Sequence, residues 1–273
     1  MADIPISEAT CVIRATGSKK GRTNWVAPGT AAARYLHYGR IILDPGDAPL
    51  RFSNGGHETG LICLRGRGTV AAAGKLFDVS RYDGLYIPRN SEIEAAPSAD
   101  GFDLAEISAP VDNDYPLHFV PFADVQKDPG LSFATGGPAS RRHLNIVLGK
   151  NVEAGRIVAG VTFSEPGHWT SWPPHEHAEI LEEAYLYIDM PAPAWGTQYV
   201  YTDPKSPELV VVVRQDDCVL MPRGYHPNVA APGGSIGFLW MMAANREVVD
   251  RKFGVVNVQP EYAGGGSGLE KGR

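Results

Sequence analysis

Residues 173–187, PPHEHAEILEEAYLY, carry two histidines one residue apart, His175 and His177, followed by the pair Glu182 and Glu183. Further on, in MPRGYHPN (residues 221–228), His226 follows a Pro-Arg-Gly turn. On a β-strand, residues i and i+2 share a face, so His175 and His177 can present two imidazoles to one ion. A carboxylate and a third imidazole from neighbouring strands complete a set of three nitrogens and one oxygen, which suits a divalent transition metal. A lone histidine is commonly a surface residue or a satisfied core residue. Four groups of these types at these spacings point instead to a metal centre.

Which glutamate joins the set depends on register, because Glu182 and Glu183 face opposite sides of a strand. With Glu183 inward, Tyr185 and Tyr187 follow it into the cavity. With Glu182 inward, the lining is Ala184, Leu186 and Ile188. A polar substrate needs hydroxyl groups, which favours Glu183. Arg223, close to His226 in the chain, has the planar guanidinium that holds a carboxylate bidentately. A surface ion pair is its alternative role. His168, Ser171, Gln198 and Tyr201 are further polar candidates.

The elements that must position these groups read as β throughout. Short apolar or alternating runs recur, among them 33–43, 60–64, 84–88, 102–108, 143–148, 156–163, 183–189, 209–214 and 235–243. Turn clusters such as DPGDAP, NGG, DPG and APGG separate them. Many short strands between such turns predict a sandwich or barrel. No long amphipathic helix is read, and residues 112–128 hold at most a short helical turn.

A weak internal repeat runs through the chain. The segment Asp83 to Arg89 matches Asp217 to Arg223 as D-x4-P-R, an offset of 134 residues. Upstream, Glu58-Thr-Gly-Leu-Ile-Cys echoes Glu183-Ala-Tyr-Leu-Tyr-Ile, an offset of 125. The same order in both halves predicts duplication of one unit. The expected division is 1–140, without a metal, and 141–260, with the metal site, followed by a loose Gly-rich tail over 261–273. The first half has His57 beside Glu58 but no histidine after Pro88 and Arg89, so it cannot assemble three imidazoles.

Composition narrows the classes. The 273 residues are 43% hydrophobic and 21% charged, with a formal charge of −6 and no basic run, so nucleic acid is not an expected partner. Cys11, Cys63 and Cys218 lie far apart and form no CxxC pair, which fits free thiols rather than disulfides. The start MADIPISEAT lacks a basic stretch followed by an apolar one, and no apolar run reaches the length of a membrane span. A cytoplasmic protein without a membrane partner is expected.

The HxH, Glu and later His pattern on a duplicated β unit resembles the cupin superfamily, here a bicupin of two antiparallel double-stranded β-helix (jelly-roll) barrels. More narrowly, GHWTSWPPHEH, LEEAYLY, VYTD and LMPRGYHPNVAAPG are similar to the 5-deoxy-glucuronate isomerases of myo-inositol catabolism and to the related 5-keto-4-deoxyuronate isomerases. The resemblance covers residues 167–233 best and implies His175, His177, Glu183 and His226 as metal ligands. It departs at Ala178, where the family carries an acidic residue, at Tyr199, where it carries arginine, and in a shorter segment before LEE. It implies an aldose–ketose isomerase converting 5-deoxy-glucuronate to 5-dehydro-2-deoxy-gluconate in a homo-oligomer, with Glu183, Tyr185, Tyr187 and Arg223 as the catalytic candidates. Zinc is the expected ion, ahead of manganese, iron or nickel. A cupin dioxygenase and a non-catalytic sugar-binding bicupin are the alternative readings.

Overall fold

A computed structural model of the chain describes residues 4–266, 268 and 269. As the turn-separated apolar runs predict, the described residues are built mainly from antiparallel β-strands. The α-helices are the short Glu8–Cys11 and Phe122–Lys127, the second lying inside the segment read as a helical turn.

Residues 21–120 build one sheet in the order Gly21–Val26, His37–Leu43, Glu92–Pro110, His57–Ala72, Gly84–Ile87 and His118–Val120. Leu50–Ser53 adds to Glu92–Pro110, and Lys75–Val79 adds to His57–Ala72. The two long strands shift register between Cys63 and Arg65 and between Gly66 and Gly68. Gly66 has a φ of +70°, and a Cβ there would run into Gly101 O, so glycine is what lets the strands touch at this bend.

A second sheet of seven strands runs Val12–Ile13, Cys218–Met221, Leu181–Ile188, Gly237–Ala244, Ile157–Ser164, Arg142–Leu148 and Ser132–Thr135. A further sheet of four strands runs Trp169–Thr170, Asn228–Ala230, Gly196–Val200 and Leu209–Val213. Among the described residues, His175–Glu176 pairs with Asn257–Val258 alone. Val12–Ile13 and Ser132–Thr135 both precede residue 140, yet both belong to the second sheet. One apolar cluster joins the halves, with Ile62, Tyr86 and Ile107 packed among Val147, Ile157, Leu186 and Leu239. A smaller cluster, including Ile41, Leu61, Leu85 and Leu104, fills the other face of the first sheet.

Strand register refines the sequence repeat. Thr59 lies opposite Ile87, the residue before Pro88, and Glu183 lies opposite Met221, the residue before Pro222. Thr59 therefore holds the place of Glu183, and Glu58 that of Glu182. The echo that pairs Glu58 with Glu183 is one residue out of register. The two corresponding glutamates act alike. Glu58 accepts backbone N–H bonds from Gly155 at 2.8 Å, Arg156 at 2.6 Å and Ile157 at 2.8 Å. Glu182 accepts them from Arg34 at 2.8 Å, Tyr35 at 2.6 Å and Leu36. Each half thus inserts one buried carboxylate into a backbone turn of the other, where the N–H groups would otherwise be unpaired.

Candidate metal centre

Every position of Leu181–Ile188 is buried, so both faces of the strand are covered. Because successive side chains alternate, Glu182 turns to the Arg34–Leu36 backbone and Glu183 turns to the histidines. His175 sits on its two-residue strand, whereas His177 begins a turn in which Ile180 and Leu181 donate N–H bonds to its carbonyl at 3.0 and 2.8 Å. The pair therefore does not lie along one continuous strand. The imidazoles converge all the same. One ligand nitrogen from each of His175, His177 and His226 lies within 4.8 Å of the others, and Glu183 Oε2 is 3.1 Å from Nε2 of both His177 and His226.

The donor arrangement fits a cation. Nδ1 of His175 is 2.9 Å from Pro173 O, that of His177 is 3.0 Å from Leu181 O, and that of His226 is 2.9 Å from Gly224 O. A carbonyl oxygen only accepts, so each Nδ1 carries a proton and each Nε2 is left facing inward, where it can give its lone pair to an ion. His226 Nε2 approaches Glu183 without hydrogen-bond geometry and is a buried nitrogen lacking a hydrogen-bond partner among the described residues. Three inward lone pairs and a carboxylate make a set of acceptors that a divalent ion satisfies.

Burial, reinforced by His226 and His177, pushes His175 down to about 3. Burial would raise the Glu183 carboxyl, but the adjacent His177 and His226 hold it at about 2. Burial lowers His177, and its contact with Glu183 more than reverses that, so its net shift is upward. Tyr185 is raised well above its ordinary value by burial first and by the Glu183 charge next, so its hydroxyl keeps its proton.

His175, His177, Glu183 and Tyr185 line a narrow cavity, about 50 Å³ of it open to the centre of a water molecule. Ser171, the partner of the Tyr185 hydroxyl at 2.7 Å, is on the same wall. Tyr187 and Arg223 are not part of that lining. The Tyr187 hydroxyl is buried and donates to Gln198 Oε1 at 2.6 Å. Arg223 Nη1 donates to Ile4 O at 2.8 Å, which directs it to the N-terminal segment. His168 Nδ1 accepts the Arg141 N–H at 2.9 Å, and Tyr201 donates to Gln259 Oε1 at 2.7 Å. Neither reaches the cluster.

Sequence reasoning missed the rest of the wall. Arg142, Trp240, Phe253, Val255, Val256 and Leu269 are among the residues that line it. The Val-rich FGVVNV run (253–258) was the readable signal, because Asn257–Val258 is the strand that pairs with His175–Glu176. Part of the segment expected to be a loose tail also packs here. Gly268 is buried and its carbonyl accepts from Thr135 Oγ1 and Arg142 Nη2 at 3.1 and 2.5 Å. Residues 267 and 270–273 lie outside the described residues.

A model of the KduI/IolB family matches residues 11–257. The 5-deoxy-glucuronate isomerase of Geobacillus kaustophilus (strain HTA426) is 29% identical over 243 residues, covering 83% of this chain and 86% of that protein. Among solved structures, an IolB-like protein from Salmonella typhimurium superposes with a TM-score of 0.80 at 23% identity, covering 93% of this chain and 97% of that one. A cupin 2 conserved barrel domain protein from Leptotrichia buccalis gives a TM-score of 0.50 at 13% identity, over 85% and 88% of the two chains. These likenesses identify the all-β fold as cupin-like.

Proposed function

The chain belongs to the KduI/IolB family, and on that footing we propose that it is a metal-dependent isomerase of a deoxy sugar acid. 5-Deoxy-glucuronate is the substrate we assign first, since that is what the Geobacillus kaustophilus relative is named for. The observation that carries the metal is the set of inward Nε2 lone pairs beside Glu183, including the unpartnered His226 nitrogen. His175, His177, Glu183 and His226 would hold the ion. When bound, it supplies Lewis acidity to the carbonyl and the adjacent hydroxyl of the substrate. A Glu183 carboxyl at about 2 suits a ligand better than a base for a carbon-bound proton. The Tyr185 hydroxyl, steadied by Ser171, remains protonated and donates to the substrate oxygen on which charge develops. Trp240, Phe253 and Leu269 give the cavity an apolar wall.

The experiment is metal analysis of the purified protein together with an oxygen-free isomerisation assay on 5-deoxy-glucuronate. We expect one divalent ion per chain, zinc first, and turnover that stops on chelation. Metal-free protein with full activity would overturn the reading.

The same proposal takes the chain as two cupin units, the first without metal. Its support is the matched register of Thr59 with Glu183 and the reciprocal seating of Glu58 and Glu182. A homo-oligomer completes it, supported by Val210 and Val212, 54% and 38% exposed on the edge strand Leu209–Val213. Sedimentation at micromolar concentration tests that part.

A further inference from the structure

His226 lies between the Cys218–Met221 and Asn228–Ala230 strands, in a loop whose backbone carbonyls are outside the regular ladders. Something must hold that loop if Nε2 is to keep its aim. The bridge between Tyr201 and Tyr225, with N–H bonds of 3.0 and 2.8 Å, fixes the residue before it. Pro227 O accepts the Tyr199 N–H at 3.0 Å, whereas the His226 carbonyl is met by a side chain. Gln198 Nε2 lies 2.9 Å from His226 O, 3.2 Å from Pro227 O and 2.8 Å from Tyr199 O.

The amide can point only one way. Three carbonyl oxygens surround its nitrogen, and its oxygen accepts from the Tyr187 hydroxyl at 2.6 Å and from Asn228 Nδ2 at 3.3 Å. Asn228 Nδ2 also donates to the Tyr187 hydroxyl at 3.0 Å, and Thr170 Oγ1 donates to Asn228 Oδ1. Gln198, Tyr187, Asn228 and Thr170 are all fully buried. A closed polar network of this kind has few alternative arrangements, because any rotation leaves a buried group unpaired. It joins the strand bearing Glu183 to Gly196–Val200 and to Asn228–Ala230, the strand that follows the His226 loop.

We infer that Gln198, oriented by Tyr187 and Asn228, is the positioning residue that aims His226 at the metal centre. The inference rests on the reading of His226 as a ligand. It gives Tyr187 a role as well, acting through Gln198 rather than on substrate. Groups that orient a metal-bound histidine typically change metal affinity about 10–100-fold when removed.

The test uses the full chain in metal-free form, with Gln198→Met and Tyr187→Phe. Zinc affinity is read by chelator competition, the cobalt(II) absorption spectrum reports ligand geometry, and a melt of the metal-free protein reports folding. Gln198→Met should weaken zinc about 10–100-fold and alter the cobalt spectrum. Tyr187→Phe, which leaves the amide nitrogen but frees it to turn, should shift both in the same direction by less. If Gln198→Met does not fold, Tyr187→Phe alone decides. Lower melting temperatures with wild-type affinity and spectrum in the folded variants would reduce the network to a structural brace and overturn the inference. Wild-type protein that takes up neither zinc nor cobalt would overturn the ligand reading beneath it.

Discussion

Two adjacent glutamates should fail in opposite ways. Glu182 binds three backbone N–H groups of the first half, and Glu183 stands among the histidines. In Glu182→Gln, the retained oxygen still serves Tyr35 and Leu36, but those bonds lose their charge. A bond to a charged group is worth about 1.5–3 kcal/mol against about 0.5–1.5 for a neutral one, so about 1 kcal/mol is lost from each. The new amide NH₂ meets the Arg34 N–H donor to donor and leaves it unpaired, costing about 1–3 kcal/mol, with the lower end apt because Arg34 is partly exposed. With that lower end the sum is about 3 kcal/mol, which in a chain of this size lowers the melting temperature by on the order of 10 °C. Metal-dependent stabilisation should persist in that variant. Glu183→Gln removes a buried charge and a ligand. Its metal-free form should melt within a few degrees of the wild type, while the rise in melting temperature on adding zinc, which follows ligand concentration over Kd, should largely vanish. Melts of both variants with chelator and with zinc make the comparison. A Glu182→Gln protein that melts normally but no longer responds to zinc, or a Glu183→Gln protein with the full zinc response, would refute the face assignment.

Arg223→Ala should leave KM for a sugar acid nearly unchanged, because the guanidinium is engaged with Ile4 O; a several-fold rise in KM would return it to the substrate site. A chain ending at Gly266 should melt a few degrees lower, since Leu269 contributes up to about 1.5–3 kcal/mol when fully buried and is here only partly so; an unchanged melt would show that the packed end is dispensable. Burial, with His57 beside it, pushes His37 down to about 4, so the unfolded chain takes up a proton below about 6.5 that the folded chain refuses. Stability should therefore fall as pH drops from about 6.5 to about 4, and His37→Gln should flatten that slope in urea titrations. His177→Ala should lose metal and activity together, checked by metal stoichiometry and turnover.

The converging cluster of histidines and Glu183 was legible because its signal is local. HxH, a glutamate and a later histidine need only strand-scale spacing, and the alternation argument that Tyr185 shares a face with Glu183 survives in the cavity wall. What escaped depends on distant partners. Nothing near Glu182 in the chain announces the Arg34–Leu36 backbone, and nothing near Arg223 announces Ile4. The repeat was legible too, and what its shared residues do is fasten the chain. Arg89 and Arg223 occupy the same place in D-x4-P-R, and each donates to a main-chain carbonyl, Val111 O at 3.0 Å and Ile4 O at 2.8 Å. What the halves share is thus a device for fastening chain to sheet, just as Glu58 and Glu182 share a device for fastening half to half. A residue kept in both halves answers a need of both halves, and the first half has no trio of histidines to serve. The candidate chemistry lies where the halves differ at matched register. Thr59 has only a neutral hydroxyl where Glu183 has a carboxylate, and that single position separates a strand that closes a core from one that can help to hold an ion.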